Sequence, residues 1–320
     1  MRMHQAKRSE YIGLERNTKE GSKPILRELK RNMIAYAFIS PWFIGFLVFI
    51  IGPMLASLYF SFTQYDMLSK PSWIGLDNYV KMLTDDKRFI TALKVTFTFV
   101  FVSVPLKLAF ALLIAMLFNV DRRGVSVYRT LYYVPSILGG SVAVAVMWKQ
   151  LFGSKGAVNA LLGIVGIKGT SWVASPDFAL WTLILLVIWQ FGSPMLIFLA
   201  GLKQIPHELY EASKMDGAGA WMRFFRVTLP MLTPIIFFNL VMQTIGGFMT
   251  FTQSFLITAG GPLDTTLFYA VYLYETAFTH FQMGYASAMA WVLLIIVALF
   301  TGLIFKSAAS WVHYESEGGK

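Results

Sequence analysis

The stretch PHELYEASKMDGAGAWMRFFRVTLP, Pro206 to Pro230, lies between two long apolar segments, Phe178–Leu202 and Leu232–Thr252. It carries Glu208, Glu211, Lys214, Asp216, Arg223 and Arg226, with Lys203 just before it, in a chain that is only 14% charged. Pro206 suits the first turn of a helix, and Glu208 and Glu211 fall near the positive N-terminal end of that helix. Leu209 and Ala212 share one face at i, i+3. Gly217 and Gly219 interrupt the helix and let another backbone approach. A second helix is expected to place Trp221, Phe224, Phe225 and Thr228 on one apolar stripe, with Arg223 and Arg226 off it. Pro230 and Pro234 open the next apolar segment. A charged helix–turn–helix of this kind suits docking into a groove on a partner, or else packs on itself as an amphipathic loop.

The surroundings decide what sort of chain holds it. Of 320 residues 56% are hydrophobic, and mean hydropathy is +0.60. A bilayer-spanning helix needs about 20 apolar residues. Six stretches qualify: Met33–Phe60, Phe97–Phe118, Leu131–Phe152, Phe178–Leu202, Leu232–Thr252 and Tyr285–Phe305. Most contain Gly or Pro, which membrane helices tolerate when neighbours re-satisfy the backbone. The first is too long for a signal-peptide core and is expected to remain as a helix.

Net charge is +10, but its distribution argues against nucleic acid as the partner. Nine Lys/Arg precede the first apolar stretch, and Gln253–Gly284 has none. Arg122, Arg123 and Arg129 lie near the second-to-third connection, and Lys203, Lys214, Arg223 and Arg226 lie in the fourth-to-fifth. Basic loops mark the cytoplasmic side, so both termini and these two connections are expected inside. Residues 1–32 read as a basic tail ending in a short amphipathic helix on the membrane surface, where Ile25, Leu26, Leu29 and Met33 recur at helical spacing. Residues 309–320 read as a second cytoplasmic tail. In the outward loop 62–95, Pro71 and Gly75 are turn formers, and Trp73 and Tyr79 suit the interface. The glycine-rich loop 153–177 has room for one short helix.

Ionisable groups are nearly absent from the apolar stretches, where they are costly. Lys107 is the deepest, and snorkelling or pairing with a neighbouring subunit is its expected role. Gln190, Ser193, Asn239, Gln243 and Gln253 serve equally as interhelical hydrogen-bonding groups or as contacts for a polar, uncharged ligand. Catalytic patterns are missing. There is no phosphate-binding glycine loop, no H-E-x-x-H metal pair among His4, His207, His280 and His313, and no nucleophile elbow. With no cysteine in the chain, disulfide and thiolate chemistry are excluded. No catalytic or metal-ligating residue is therefore assigned.

The segments Glu211-Ala212-Ser213, Asp216-Gly217-Ala218, the run from Ala218 to Arg226, and Val227-Thr228-Leu229-Pro230 resemble the EAA loop of permease subunits of type I ABC importers. Ser213 stands where the second alanine is usual and Val227 where isoleucine is usual. The longer ELYEASKMDGAGAWMRFFRVTLPMLTP is similar to the carbohydrate branch, the family of the maltose and glycerol-phosphate permeases. WIGLDNYVKML (Trp73–Leu83), LYYVPSIL (Leu131–Leu138), LITAGGP (Leu256–Pro262) and MGYASAMAWVL (Met283–Leu293) follow the same pattern in order, and LITAGGP with the TTLFYAVYLYETAF after it resembles the first-permease type.

The resemblance implies an all-α integral membrane protein with six transmembrane helices in residues 33–308 and a coupling loop at 203–230. It implies a non-catalytic subunit that carries a saccharide, an oligosaccharide by preference, by alternating access. Its partners would be a second homologous permease, two ATP-binding subunits, an extracytoplasmic solute-binding protein and membrane lipid. ATP and Mg would sit on the ATP-binding subunits, and this chain would bind no cofactor. Glu208, Glu211, Ala212, Asp216, Gly217, Ala218, Leu229 and Pro230 would couple to the ATPase. Trp189, Gln190 and Ser193, with Gln243, Gly247 and Thr252, would mark the solute pathway by position. A permease for a glycerol-phosphate-type solute is the alternative within the family, disfavoured by the lack of an intramembrane arginine; an ATP-independent carrier is the alternative outside it.

Overall fold

A computed structural model describes residues 24–120 and 122–313. The basic tail before Pro24 and the last seven residues of the C-terminal tail lie outside the described residues. Contacts divide the chain into two units, one ending at Ser57 and the other beginning at Leu58.

The first unit contains α1, Pro24–Phe46, which runs without a break through the segment expected to form a separate surface helix. A π-helical turn, Leu47–Ile51, leads into α2, Gly52–Ser61. The stretch Ala35–Ser61 is long and apolar enough to cross a membrane, and Phe38, Trp42 and Phe49 on it are 82%, 67% and 79% exposed. In water such a surface would aggregate; in a bilayer it is ordinary.

The second unit opens with a two-stranded antiparallel ladder, β1 (Thr63–Gln64) on β2 (Ser72–Trp73), pairing Thr63 with Trp73. Helix α3, Asp77–Thr84, follows, and Asn78 secures it by donating to the Ser61 and Thr63 carbonyls at 2.9 and 3.0 Å. Tyr79 was expected at the membrane interface. Its hydroxyl donates to Ser61 Oγ at 2.8 Å and so braces the loop.

Helix α4, Lys87–Phe118, is the axle of this unit. It begins ten residues before the expected span, because Asp86 caps it by accepting from the Phe89 N–H at 2.9 Å. Its far end is closed by Arg129, whose guanidinium donates to the Phe118 carbonyl at 2.6 Å. Against α4 pack α8 (Ala179–Trp189), α9 (Gly192–Gln204), α13 (Thr233–Phe248) and α15 (Tyr269–Tyr274). Phe89, Phe99, Phe198, Phe248, Phe268 and Tyr269 form the centre of that core, all but fully buried.

The six apolar stretches take two forms. Among the described residues three helices are long and apolar enough to span: Ala35–Ser61, Lys87–Phe118 and Met283–Trp311 (α16). The other three stretches are bent pairs, which bring the number to six when each pair counts as one span. Helix α5 (Val125–Leu138) meets α6 (Val142–Leu151) at 97°, α8 meets α9 at 41°, and Ala220–Met231 meets α13 at 65°. Glycine or proline stands at each bend: Gly139 and Gly140, Gly192 and Pro194, Pro230 and Pro234. A short helix, α7 (Ala157–Ile164), occupies the glycine-rich loop as expected. Asn159 on it holds that loop, accepting from Trp172 Nε1 at 2.7 Å and donating to the Thr170 carbonyl.

At one end of α16, the Tyr269 hydroxyl donates to the Met289 carbonyl at 2.7 Å; at the other, the His313 N–H donates to Thr233 Oγ1 at 2.9 Å. At the Tyr269 end, Asp86 accepts from the Tyr272 and Tyr285 hydroxyls, both at 2.6 Å. Arg88 beside it forms a two-pronged pair with Asp264 at 3.0 Å and reaches Glu275 at 3.3 Å. Partial burial opposes the Asp86 charge, but the two tyrosine hydroxyls and the backbone N–H groups outweigh it and hold its pKa below the usual carboxylate range. Its stabilisation is therefore present above the unfolded-state pKa and disappears as pH falls through the lowered folded-state value. Asp86→Asn is expected to cost about 1–3 kcal/mol at neutral pH, read as a lower unfolding temperature of the detergent-purified protein. The gap between the two proteins should close on acidification; a gap that is independent of pH would show that the carboxylate charge is not what matters.

Candidate functional site

The loop quoted first folds as its residues dictate. Helix α10, His207–Met215, starts after Pro206 and stops where Gly217 adopts φ +76°, a left-handed conformation that side chains disfavour. Gly219 caps α11, Ala220–Arg223, and a π-helical turn, Phe224–Thr228, connects it to α12, Leu229–Met231. The Tyr210 hydroxyl and Thr228 Oγ1, 3.0 Å apart, tie α10 to the start of the next span.

The apolar stripe expected on the second helix is split. Thr228 is buried, while Trp221 and Phe225 are 78% and 57% exposed and stack on each other at 6.3 Å. The cause is the π turn, in which the Leu229 N–H reaches back to the Phe224 carbonyl; its wider winding moves the residues after it off the α-helical phase. Leu209, Met215 and Met222 are exposed as well. Glu208, Glu211, Ala212, Asp216 and Gly217 are all exposed, whereas Ala218, Leu229 and Pro230 are half-buried. Glu211 has His207 Nδ1 at 3.1 Å, one turn back, as its neighbour. The loop thus presents a carboxylate, a glycine elbow and an exposed apolar patch on one short element.

The second candidate region lies where α4, α8 and α13 meet. A cavity of about 190 Å³ is lined by Ser103, Lys107, Gln190, Gln243, Gly247 and Gln253, with Val104, Val187, Gly246 and Thr250 completing its wall. Of the six residues expected along a solute pathway, Gln190, Gln243 and Gly247 come together here. Gly247 does so because α13 packs tightly on α4: a Cβ there would stand 3.1 Å from Val100.

The other three lie elsewhere. Trp189 faces an apolar crevice of about 500 Å³ with Phe110, Tyr132 and Phe191, since the helix phase that points Gln190 to one side points Trp189 to the other. The Ser193 N–H donates to Ser136 Oγ at 3.0 Å, so that residue serves the helix break. Thr252 begins α14, Thr252–Ile257, and its neighbours Thr250 and Gln253 reach the cavity in its place. Sequence reasoning set Lys107 apart from ligand work, yet it lines this cavity. The signal was present in its depth and in the absence of any acidic residue on the same span.

Gln190 has a double role. Its Nε2 donates to the Gly139 carbonyl at 3.1 Å, while its own carbonyl accepts from Ser136 Oγ at 2.9 Å. The break between α5 and α6 and the break between α8 and α9 therefore satisfy each other. Gly192 permits the contact, since a Cβ there would stand 2.7 Å from the Tyr132 carbonyl oxygen and from Tyr133 Cα. Gly192→Ala is expected to separate the two breaks and to destabilise the protein by about 1–3 kcal/mol. An unchanged unfolding temperature would show that these breaks do not depend on close backbone approach.

Comparison with known proteins agrees with this geometry. Residues 87–311 match the family described as binding-protein-dependent transport system inner membrane component. The chain is similar to a probable ABC transporter permease protein, YesP, of Bacillus subtilis (strain 168), 59% identical over 90% of this chain and 94% of that one. It is also similar to the lactose transport system permease protein LacF of Rhizobium radiobacter, 34% identical over 85% of this chain and 93% of that one. Its fold matches a solved bacterial alginate ABC transporter, in complex with an alginate pentasaccharide-bound periplasmic protein, with a TM-score of 0.78 at 22% identity, over 89% of this chain and 97% of the other. The bent spans, the exposed loop helix and these matches lead to one conclusion: the chain belongs to the binding-protein-dependent transport system inner membrane component family, as a multi-pass permease of the ABC importer type.

Proposed function

We propose that this permease imports a saccharide, an oligosaccharide by preference, and that separate ATP-binding subunits drive it through the Lys203–Pro230 loop. The observation that carries the reading is the exposed surface of α10 and α11. An apolar patch rimmed by charge, with no described residue packed over it, marks a protein-binding face. Trp221 and Phe225 supply its aromatic anchor, and Glu208, Glu211 and Asp216 supply a negative rim for a basic cleft on the partner.

The mechanism follows from how the loop is joined to the spans. Helix α10 follows α9 directly after Ile205 and Pro206, and α11 continues through the π turn and α12 into α13. Displacing the loop moves α13, which borders the polar cavity, and α9, which continues α8 from the break beside Gln190. ATP and Mg, bound to a pair of partner subunits, supply the closing force. A second homologous permease completes the pathway, and an extracytoplasmic binding protein delivers the solute. Alternating access is then a rigid-body switch between two states, biased by a ligand bound outside this chain. The loop belongs on the cytoplasmic side, with both termini. The saccharide reading draws support from the sugar-permease relative and from the cavity's glutamine amides, which offer donors and acceptors to hydroxyl groups.

Glu211→Lys and Gly217→Val are expected to uncouple the assembled importer: saccharide uptake falls by about tenfold or more, as for a reversed charge in a desolvated dock, while ATP hydrolysis persists. Uptake and hydrolysis are measured in parallel on reconstituted vesicles. Normal uptake by both variants would remove this loop from the coupling mechanism.

A further inference from the structure

Building on the saccharide reading, we propose that the polar cavity between α4, α8 and α13 recognises a carboxylate on the transported sugar, and that Lys107 is the residue that selects it. The solute would then be an acidic saccharide, one with a uronate ring, rather than a neutral one.

An ammonium group at membrane depth is costly unless it finds a counter-charge. No carboxylate lines the cavity that holds Lys107, and no ion pair or hydrogen bond joins its side chain to any described residue. The groups around it are neutral: Gln190, Gln243 and Gln253 amides with the Ser103 and Thr250 hydroxyls.

Ser103 supplies an independent sign of a missing ligand. It is completely buried on α4, one turn before Lys107, and its Oγ has no hydrogen-bond partner among the described residues. The half-buried Gln243 and Gln253 side chains line the same cavity and make no hydrogen bond to any described residue. Unmet buried polar groups are unfavourable unless something fills the site.

The cavity as a whole therefore offers one positive charge surrounded by amide and hydroxyl groups, the complement of a sugar carboxylate flanked by hydroxyls. Lysine suits this task because its ammonium is a compact charge with three donors on a flexible stem. At about 190 Å³ the cavity is smaller than the ~300–1,000 Å³ common for ligand pockets. It forms one wall of a pathway that a second permease subunit completes, and it takes a single ring rather than a whole chain.

The experiment uses the assembled importer in vesicles, with its binding protein saturated in turn by a uronate-containing oligosaccharide and by the same oligosaccharide with its carboxyl reduced to an alcohol. The wild-type importer is expected to transport the acid faster. Lys107→Met should lower the acid-to-neutral uptake ratio by about tenfold, the loss of one charge-assisted hydrogen bond, and Lys107→Arg should retain the preference. Because each comparison keeps the same binding protein, that protein's own selectivity cancels. An acid-to-neutral ratio that Lys107→Met leaves unchanged overturns the proposal, even if both rates fall. Equal wild-type rates for the two saturated sugars overturn it without any variant. Absence of ATP-dependent uptake of either sugar defeats the saccharide reading itself, a result distinct from uptake without preference.

Discussion

Inside a bilayer no water is available to accept a broken backbone hydrogen bond, and each unmet group costs several kcal/mol. Every bend in this chain must therefore be repaired by a neighbour. The break at Gly139–Ser141 and the break at Gln190–Phe191 repair each other through Ser136 and the Gln190 side chain. That reciprocal arrangement sets the angle of two spans and fixes where Gln190 lies relative to the polar cavity. The Ser141 side chain contributes locally by capping α6 at the Val144 N–H. Without these bonds the bends would be unaffordable, and straight helices would leave no pocket between α4, α8 and α13.

The described remainder of the second unit frames this centre from both ends. At the Asp86 end, carboxylates meet tyrosine hydroxyls and a guanidinium, charged contacts that fasten loops far apart in sequence. At the other end Tyr210 meets Thr228, the His313 N–H meets Thr233, and the Arg129 guanidinium closes α4 on the Phe118 carbonyl. Between them the helices associate through close packing of aromatic and small residues, because hydrocarbon provides no hydrophobic drive between helices. Phe99 on Phe268 and Phe97 between Phe248 and Phe300 are the best examples.

Much of the architecture was legible without coordinates. The helix from His207 and its end at Gly217 follow from a proline, acidic residues in the first turns and a glycine, all of which act through bonds within a few residues. The six apolar stretches were equally clear, because membrane burial depends on the average chemistry of a segment. Helix phase was the part that was not legible. Trp189 and Gln190 are neighbours in sequence but line different cavities, and with the π turn at Phe224–Thr228 the apolar stripe is split between buried Thr228 and the exposed pair Trp221 and Phe225. Neither a bend of 97° nor an inserted π turn has a local signature strong enough to set a helix's rotation.

The amino-acid sequence alone determined that this chain lives in a membrane, that it belongs with permeases, and that Pro206–Pro230 forms an ordered helix–turn–helix. Those properties rest on composition, local propensity and a contiguous motif. Tertiary structure alone decided that Lys107 shares a cavity with three glutamines, that Ser193 serves a helix break, and that Tyr79 braces its loop. Each of these depends on which residues from separate helices end up within a few ångströms of one another. That distance is set by how bent helices pack, a property no single segment carries.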